Sequence, residues 1–202
     1  RYGMTETNMV TSNPYNGERR PGTVGKPLPD VEIKINDPQT GRENANGEIG
    51  MIEVRGPNVF KGYWNMPDKT SLELRENGYF ITGDLGKLSS DGYLSIVGRE
   101  KDLIISGGYN VYPKEIEDVL NELDKIDETA VFGILDNDFG ERVVAAIVML
   151  ENESFDKSKT EIFVNDKLAR YKQPKEYFVL DSLPRNSMGK VQKNLLRKQF
   201  SY

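Results

Sequence analysis

The segment LPRNSMGKVQK, residues 183–193, contains Gly189-Lys190, a residue pair that ends many phosphate-binding loops. The full pattern, G-x-x-x-x-G-K-[ST], surrounds phosphates with backbone N–H groups and places a hydroxyl beside Mg²⁺. Here Pro184 stands where the first glycine is needed and Val191 where the hydroxyl is needed, so that loop is excluded. Lys190 therefore either supplies a point charge to a bound anion or is a solvated lysine near a helix start.

A second candidate is the stretch YGMTE, residues 2–6, which combines an aromatic ring, a glycine, a hydroxyl and a carboxylate. The ring of Tyr2 can stack on a base, Thr5 can bind a phosphate, and Glu6 can ligate Mg²⁺ through hard oxygen atoms. Five such residues also occur in ordinary loops. This stretch alone does not decide between the two interpretations.

Three further motifs carry polar or flexible residues at predicted strand ends. Asp84, in TGD, is a carboxylate of the kind that accepts hydrogen bonds from ribose hydroxyls, or a simple turn aspartate. The segment GREKD, residues 98–102, is either functional or an exposed charged linker. In SGGYNVYP, the pair Gly107-Gly108 allows close approach of a ligand or forms a strand-to-helix turn.

Composition excludes several classes of function. The 202 residues contain neither cysteine nor histidine, which excludes disulfides, a thiol nucleophile, a Ser-His-Asp triad and His-ligated zinc within this stretch. A net charge of −5 disfavours a nucleic-acid partner. The longest apolar run, VVAAIVML, is too short to span a bilayer, so we expect no membrane span. The lack of cysteine is compatible with a cytoplasmic protein, which we expect, or an organellar one if a preceding segment carries a targeting peptide.

The elements that must position these residues fall into two halves. Residues 1–100 show short alternating strands separated by turns, which predicts an all-β, small antiparallel barrel-like subdomain. From residue 101 strands and helices alternate, which predicts a small α+β domain with a central sheet and flanking helices. The fold class is therefore α+β, with a domain boundary near Lys101.

Three patterns specify helices in the second half. Pro113 opens a helix, and four apolar side chains at i, i+3, i+4 and i+7 form its buried face: Ile116, Val119, Leu120 and Leu123. Ser158 with Glu161 predicts a capping box for a helix that reaches about Ala169. The last helix is basic, and its inward positions are predicted to be Val191, Leu195, Leu196 and Phe200.

Each motif is weak alone, but together they follow a specific order. YGMTE, GPNVFKGYW, GYFITGDLG, GREKDLIISGGYNVYPKEIE and PRNSMGKVQK resemble the later motifs of the acyl-adenylate-forming superfamily, in its acyl-CoA synthetase branch. The resemblance covers essentially the whole chain. RYGMTETNMVTSNPY, FKGYWNMPDKT and LPRNSMGKVQKN are most similar to the malonyl-CoA synthetase subfamily.

The resemblance implies a role for each candidate residue. Tyr2 would stack on adenine, within a nucleotide-binding segment that includes Gly3 and Met4. Thr5 would bind phosphate, and Glu6 would hold Mg²⁺. The remaining matches are Asp84 and Arg99 for the ribose, Gly107 and Gly108 beside the pantetheine tunnel, Lys101 as the hinge, and Lys190 as the catalytic cation.

The implied reaction has two half-reactions. A small carboxylic acid, malonate in the most similar subfamily, reacts with ATP to give acyl-AMP and pyrophosphate. The thiol of coenzyme A then attacks the acyl-AMP and releases AMP. Lys190 would stabilise the first step, in which an anionic carboxylate meets an anionic triphosphate. No protein nucleophile is needed, in agreement with a chain that lacks cysteine and histidine.

The early motifs of the superfamily, including the loop that grips the β- and γ-phosphates, do not occur in this sequence. We therefore expect the chain to be the C-terminal portion of a longer enzyme and to be inactive alone. The N-terminal remainder of that enzyme would be its partner. Arg1 is a candidate partner for the second carboxylate of malonate, or merely a residue at the edge of the fragment. Two other interpretations remain open: a ligase for another short or medium acid, and a non-catalytic module that binds a nucleotide or a partner.

Overall fold

The computed structural model describes residues 1–201, and the backbone forms two compact units, Arg1–Glu100 and Lys101–Tyr202. Each unit has its own sheets and its own buried apolar core. The prediction that the first unit ends a larger N-terminal domain, and that the second is a mobile C-terminal domain, stays a prediction.

The first unit contains two open antiparallel sheets, ordered β1-β2-β3 and β4-β5-β6-β7. Their strands are β1 (Tyr2–Met4), β2 (Asn8–Ser12), β3 (Lys26–Pro27), β4 (Glu32–Asn36), β5 (Gly50–Arg55), β6 (Phe80–Leu88) and β7 (Leu94–Arg99). A single bridge between Gly25 and Leu94 joins the two sheets. Their shared core includes Val10, Ile52 and Leu94, all fully buried.

The prediction of an all-β first half is wrong at one place, because helix α1 spans Pro67–Glu73. The proline lies in the first turn, where its missing N–H costs no hydrogen bond. None of the seven helix residues is buried. An amphipathic pattern, the main sequence signal for a helix, therefore does not exist here.

The second unit alternates strands and helices around a five-stranded sheet. The sheet order is β10-β11-β8-β9, and β12 pairs in parallel with β11. In chain order the elements are β8 (Ile104–Ser106), β9 (Tyr109–Val111), α2 (Pro113–Leu120), β10 (Ile126–Asp136), β11 (Gly140–Met149), α3 (Lys157–Lys167), β12 (Glu176–Leu180) and α4 (Lys193–Phe200).

The continuous apolar run in β11 reflects burial of both faces of the sheet. Val143, Ala145 and Ile147 pack in one cluster with residues of α2 and α3. Val144 and Ala146 pack in a second cluster with Leu196 of α4. A strand covered on both sides needs apolar residues at successive positions rather than alternate ones.

Two details of the predicted helices are wrong. The N-cap of α3 is Asp156, whose side chain accepts a hydrogen bond from the backbone N–H of Lys159, and not Ser158. Aspartate and serine are equally good caps, so their order in the sequence could not decide between them. Leu195 of α4, which was predicted to face inward, is 43% exposed, whereas Leu196 is fully buried. The buried face of this helix is therefore narrower than predicted.

The α+β class is confirmed, and so is the alternation of strands and helices in the second unit. Within residues 1–201 none of the sheets closes into a barrel, so the barrel-like subdomain is in fact a pair of open sheets. No helix in the same part of the chain is long and apolar enough to cross a membrane.

Candidate functional site

The first unit joins three of the predicted residues, Tyr2, Asp84 and Arg99, into one hydrogen-bonded cluster. The hydroxyl of Tyr2 donates to Oδ2 of Asp84 at 2.7 Å. The Nε of Arg99 lies 2.7 Å from Oδ1 of the same carboxylate. Asp84 is only 5% exposed, and each of its oxygens has one charged or polar partner. Such pairing allows a buried carboxylate to keep its charge.

The register of β6 and β7 creates this cluster. Asp84 and Arg99 are directly opposite each other in the antiparallel ladder, so their side chains lie on the same face. Thr82 fixes the strand by donating its hydroxyl proton to the carbonyl oxygen of Ile52 at 2.8 Å and accepting from the N–H of Asp84 at 3.1 Å. The candidate carboxylate is therefore held by the sheet itself.

Tyr2 is half-buried, and its side chain packs against the core of the first unit. Burial, followed by the negative charge of Asp84, raises the pKa of the Tyr2 hydroxyl well above its usual range. The hydroxyl therefore stays protonated and remains a donor to Asp84. The structure thus gives Tyr2 a positioning contact that the sequence did not predict, in addition to its predicted stacking role.

Gly3, Met4 and Thr5 form the end of β1 and the turn that follows it. A Cβ atom on Gly3 would lie 2.2 Å from the carbonyl oxygen of Asn8, so only glycine allows β1 and β2 to approach this closely. The N–H of Thr7 donates to the carbonyl of Met4 and closes the turn. Thr5, at the tip, is exposed and available to a ligand.

Glu6 is half-buried and is braced by the segment GPNVFKGYW. The N–H of Phe60 donates to the carbonyl oxygen of Glu6 at 2.8 Å. The hydroxyl of Tyr63 lies 3.2 Å from Oε1 of Glu6. Oε2 of Glu6 has no hydrogen-bond or ion-pair partner among residues 1–201. No group of three or more histidine, cysteine, aspartate or glutamate side chains in that range could hold a metal ion.

Arg1 lines a groove of about 590 Å³ in the first unit. Arg19 and Lys26 line the same groove, and no acidic residue does, so its electrostatic potential favours anions. All three cationic residues are exposed.

In the second unit Gly107 and Gly108 form the two-residue turn of the β8–β9 hairpin. Ser106 pairs with Tyr109 across this turn. Both glycines have positive φ angles, 58° and 81°, as a two-residue turn of this kind requires. The N–H of Gly107 donates to the carbonyl oxygen of Phe139 at 2.8 Å, which ties the turn to the start of β11.

Lys101 lies in a short 3₁₀ turn, Glu100–Asp102, between β7 and β8. The division between the two compact units falls between Glu100 and Lys101. Lys101 is exposed, and within residues 1–201 its side chain makes no ion pair. No ion pair of this side chain among these residues would therefore resist a change of backbone angle at Lys101.

Lys190 lies on a loop that is stiffened by its own backbone. The Oδ1 of Asn186 accepts from the N–H groups of Met188 and Lys190, and the N–H of Asn186 donates to the carbonyl of Lys190. Arg185 donates to the carbonyl oxygen of Gly189 at 2.6 Å and forms an ion pair with Glu128. The Lys190 side chain itself is exposed and has no ion pair within residues 1–201.

Sequence reasoning missed the residues that support the site rather than form it. Asn58 donates to the backbone carbonyls of Thr7 and Met9, and Tyr63 contacts Glu6. Both belong to GPNVFKGYW, a segment that resembles the family but whose single residues have no role predicted from the sequence. Arg185 precedes Lys190 by five residues, and its contact with Glu128 spans 57 positions. No local pattern signals such a contact.

Comparisons with known proteins show which family this chain is similar to. Residues 1–64 match the family model described as AMP-binding enzyme, and residues 115–190 match that of the AMP-binding enzyme C-terminal domain. The chain is 46% identical to a malonate–CoA ligase of Arabidopsis thaliana over 98% of its own length and 34% of the relative's. It is 39% identical to a long-chain-fatty-acid–CoA ligase of Bacillus subtilis over 98% of the chain and 35% of the relative.

Among solved structures, the chain matches the ATP-bound MatB from Rhodopseudomonas palustris. The TM-score is 0.95 at 54% identity, over 99% of this chain and 40% of that one. The chain spans about a third of the length of the two curated relatives, the malonate–CoA ligase and the long-chain-fatty-acid–CoA ligase.

Proposed function

We propose, from the premise that this chain belongs to the AMP-binding enzymes, that it is the C-terminal portion of an AMP-forming acid–thiol ligase. The complete enzyme would convert malonate, ATP and coenzyme A into malonyl-CoA, AMP and pyrophosphate through malonyl-adenylate. The observation that carries the enzyme class is the presence, in one chain, of the paired carboxylate Asp84 and the exposed cation Lys190, which has no ion pair among residues 1–201. The first is suited to ribose, and the second to the reacting anions.

Asp84 supports the role in nucleotide binding because its carboxylate is held in position before a ligand arrives. Tyr2 and Arg99 each occupy one lone-pair direction of the carboxylate. A carboxylate has about four such directions, so acceptor capacity remains for two ribose hydroxyls. The adjacent guanidinium of Arg99, whose side chain is 42% exposed, has further N–H donors for the same hydroxyls.

Glu6 fits the requirements of Mg²⁺, which is bound in such enzymes through one or two carboxylates together with phosphate oxygens and water. The residue offers one oxygen, Oε2, that has no partner among residues 1–201, and its backbone is fixed by Phe60. When bound, Mg²⁺ would neutralise part of the triphosphate charge. Thr5, exposed on the same turn, would donate to a phosphate oxygen.

Lys190 would act in the first half-reaction. A carboxylate oxygen of the acid attacks the α-phosphorus, the bond to the bridging oxygen breaks, and pyrophosphate leaves. The ammonium group would contact both the acid and the α-phosphate and would stabilise the charge that they bring together. Its backbone is already held by Asn186, so only the side chain has to be ordered when the substrates bind.

The second half-reaction would use the hairpin at Gly107-Gly108. The thiol sulfur of coenzyme A attacks the acyl carbon, the thiol proton is lost, and AMP leaves. The exposed glycine turn lacks side chains that would block a narrow pantetheine arm. Because Lys190 and this hairpin belong to the same unit, we propose that rotation about Lys101 presents them to the active site in turn.

The choice of malonate rests on the 46% identical malonate–CoA ligase and on the cationic groove beside Arg1. A second carboxylate needs a cation, and Arg1 is the candidate. A different acid is the second possibility, because a relative at 39% identity acts on long-chain fatty acids. In the full-length enzyme, Arg1→Ala should raise the KM for malonate far more than that for acetate. Equal changes for both acids would remove Arg1 from the acyl pocket.

The direct test uses the full-length enzyme that contains this chain. It is incubated with ATP, Mg²⁺, coenzyme A and, separately, malonate, acetate or a long-chain fatty acid. We expect AMP and acyl-CoA in equal amounts, with the highest kcat/KM for malonate. Turnover only with the fatty acid would overturn the choice of malonate. ATP binding with no AMP for any acid would favour a non-catalytic binding module.

The hinge has a separate test. Proline fixes φ near −65° and removes one N–H, so Lys101→Pro should trap one orientation of the second unit. We expect malonate-dependent pyrophosphate exchange to survive and production of malonyl-CoA to collapse. The same measurements on Lys101→Ala provide the control, because alanine leaves the backbone free. Parental rates of thioester formation in the proline variant would show that the hinge is not at Lys101.

A further inference from the structure

The hydroxyl of Tyr63 lies between two carboxylates that come from distant parts of the first unit. It is 2.6 Å from Oε2 of Glu73, the last residue of α1, and 3.2 Å from Oε1 of Glu6. Tyr63 belongs to the segment FKGYW, to which no chemical role has been assigned above. Glu6 is the residue proposed to hold Mg²⁺.

Tyr63 can only be a donor in this arrangement. The hydroxyl has one proton, and an ionised carboxylate only accepts hydrogen bonds. The short contact to Glu73 is therefore the main bond, and the longer contact to Glu6 shares the same proton.

The position of the hydroxyl does not depend on Glu6. The N–H of Tyr63 donates to Oγ1 of Thr70 at 2.9 Å. The ring packs edge-on against Phe60 at 4.8 Å, and Phe60 packs edge-on against the buried Phe80 at 5.2 Å. The ammonium of Lys69 lies 4.1 Å from the centre of the tyrosine ring. Tyr63 is thus a fixed point against which a mobile glutamate can be aligned.

We infer that Tyr63 is a positioning residue for Glu6, and this inference rests on the proposed role of Glu6 as a magnesium ligand. Tyr63 restrains Oε1 through the longer, shared contact, while the backbone of Glu6 is held by the N–H of Phe60. Only Oε2 then remains for the cation. A glutamate restrained at both ends loses less rotamer entropy when it ligates a metal. Hydrogen-bonded partners of ligating carboxylates have this function in metal sites generally.

The test compares Tyr63→Phe with the parental full-length enzyme. Phenylalanine keeps the ring and its packing and removes only the donor. The free Mg²⁺ concentration that half-saturates pyrophosphate release should rise about tenfold, the lower end of the effect of such partners. Excess Mg²⁺ should restore kcat, whereas a structural defect would not be rescued. Mn²⁺ binding in the presence of ATP, followed by electron paramagnetic resonance, should weaken by a similar factor.

Two further variants make the outcome decisive. Tyr79→Phe removes a matched bond, because the Tyr79 hydroxyl donates to Oε2 of Glu32 at 2.8 Å, and it should leave the Mg²⁺ dependence unchanged. Glu6→Gln should weaken Mn²⁺ binding at least as much as Tyr63→Phe. A shift in Glu6→Gln without one in Tyr63→Phe would overturn the inference alone. No shift in Glu6→Gln would overturn both the inference and the proposed role of Glu6.

Discussion

The Asp84 cluster of the first unit and the Lys190 loop of the second hold charged residues in opposite ways. Asp84 is buried, and its side chain is fixed by Tyr2 and Arg99. Lys190 is exposed, its side chain has no ion pair within residues 1–201, and its backbone is fixed by Asn186. One region therefore fixes the charged group itself, and the other fixes only the point from which the group extends.

The difference follows from what each charge has to do. Burying a carboxylate is costly unless hydrogen-bond donors replace the lost water, so Asp84 needs the donors that Tyr2 and Arg99 supply. If a cation that must reach substrates were paired with a protein carboxylate, that pair would have to break during each turnover. Lys190 has no such pair among residues 1–201. The contrast predicts that the two regions will respond differently to substitution.

The largest effect should come from removing the unpaired cation. Lys190→Ala should slow adenylate formation by about 10²–10³, the typical cost of losing one preorganised electrostatic contact. Thioester formation from supplied malonyl-adenylate should change much less. The two half-reactions are measured separately by pyrophosphate release and by malonyl-CoA production. Lys198→Ala, an exposed lysine in α4, is the matched control. An equal loss in both half-reactions would make Lys190 structural.

A smaller effect is expected when the buried carboxylate loses one partner. Tyr2→Phe removes the 2.7 Å bond to Asp84 and keeps the ring. Hydrogen bonds to charged groups contribute about 1.5–3 kcal/mol, so the KM for ATP should rise about tenfold or more. The rate at saturating ATP should fall less. Tyr79→Phe serves again as the control, and an unchanged KM for ATP would show that Arg99 alone fixes Asp84.

Loosening the Lys190 loop should reduce the rate moderately. Arg185→Ala removes the bond to the carbonyl of Gly189 and the ion pair with Glu128. The lost hydrogen bond contributes about 1 kcal/mol to holding Lys190 in position, so adenylate formation should slow severalfold. Glu128→Gln removes the ion pair alone, which is exposed and contributes little, so its effect should be smaller. Equal losses in the two variants would show that the ion pair, and not the bond to Gly189, holds the loop.

The smallest effect concerns stability at alkaline pH. The pKa of Tyr2 is raised above its ordinary value of 10.0 by burial and by Asp84. A group whose pKa is higher in the folded state than in the unfolded state contributes its full stabilisation of the fold below the unfolded-state pKa. This contribution is lost as the pH rises from the unfolded-state pKa through the folded-state pKa. The free energy of unfolding of the full-length enzyme, measured with urea, should therefore fall above about pH 10, and it should fall less in Tyr2→Phe. Identical alkaline losses in both would exclude Tyr2 as the cause.

The sequence alone specified the order of most elements and the residues worth testing. The helix beginning at Pro113 was predicted correctly because a proline in the first turn and the spacing of apolar residues are local signals. Helix α1 was missed because it buries no side chain. The candidate residues were named by motif order, and their proposed roles still await the experiments above.

Only the tertiary structure decided which residues meet. Asp84 and Arg99 are fifteen positions apart, and their contact depends on the register of β6 and β7. A shift of one residue in this register would move one of the two side chains to the opposite face of the sheet. Tyr2 reaches Asp84 across 82 positions, and Tyr63 reaches Glu6 across 57. A sequence determines such pairs only through the packing of the whole unit. Local periodicity therefore predicted the elements, whereas long-range packing set the hydrogen bonds that hold the candidate site.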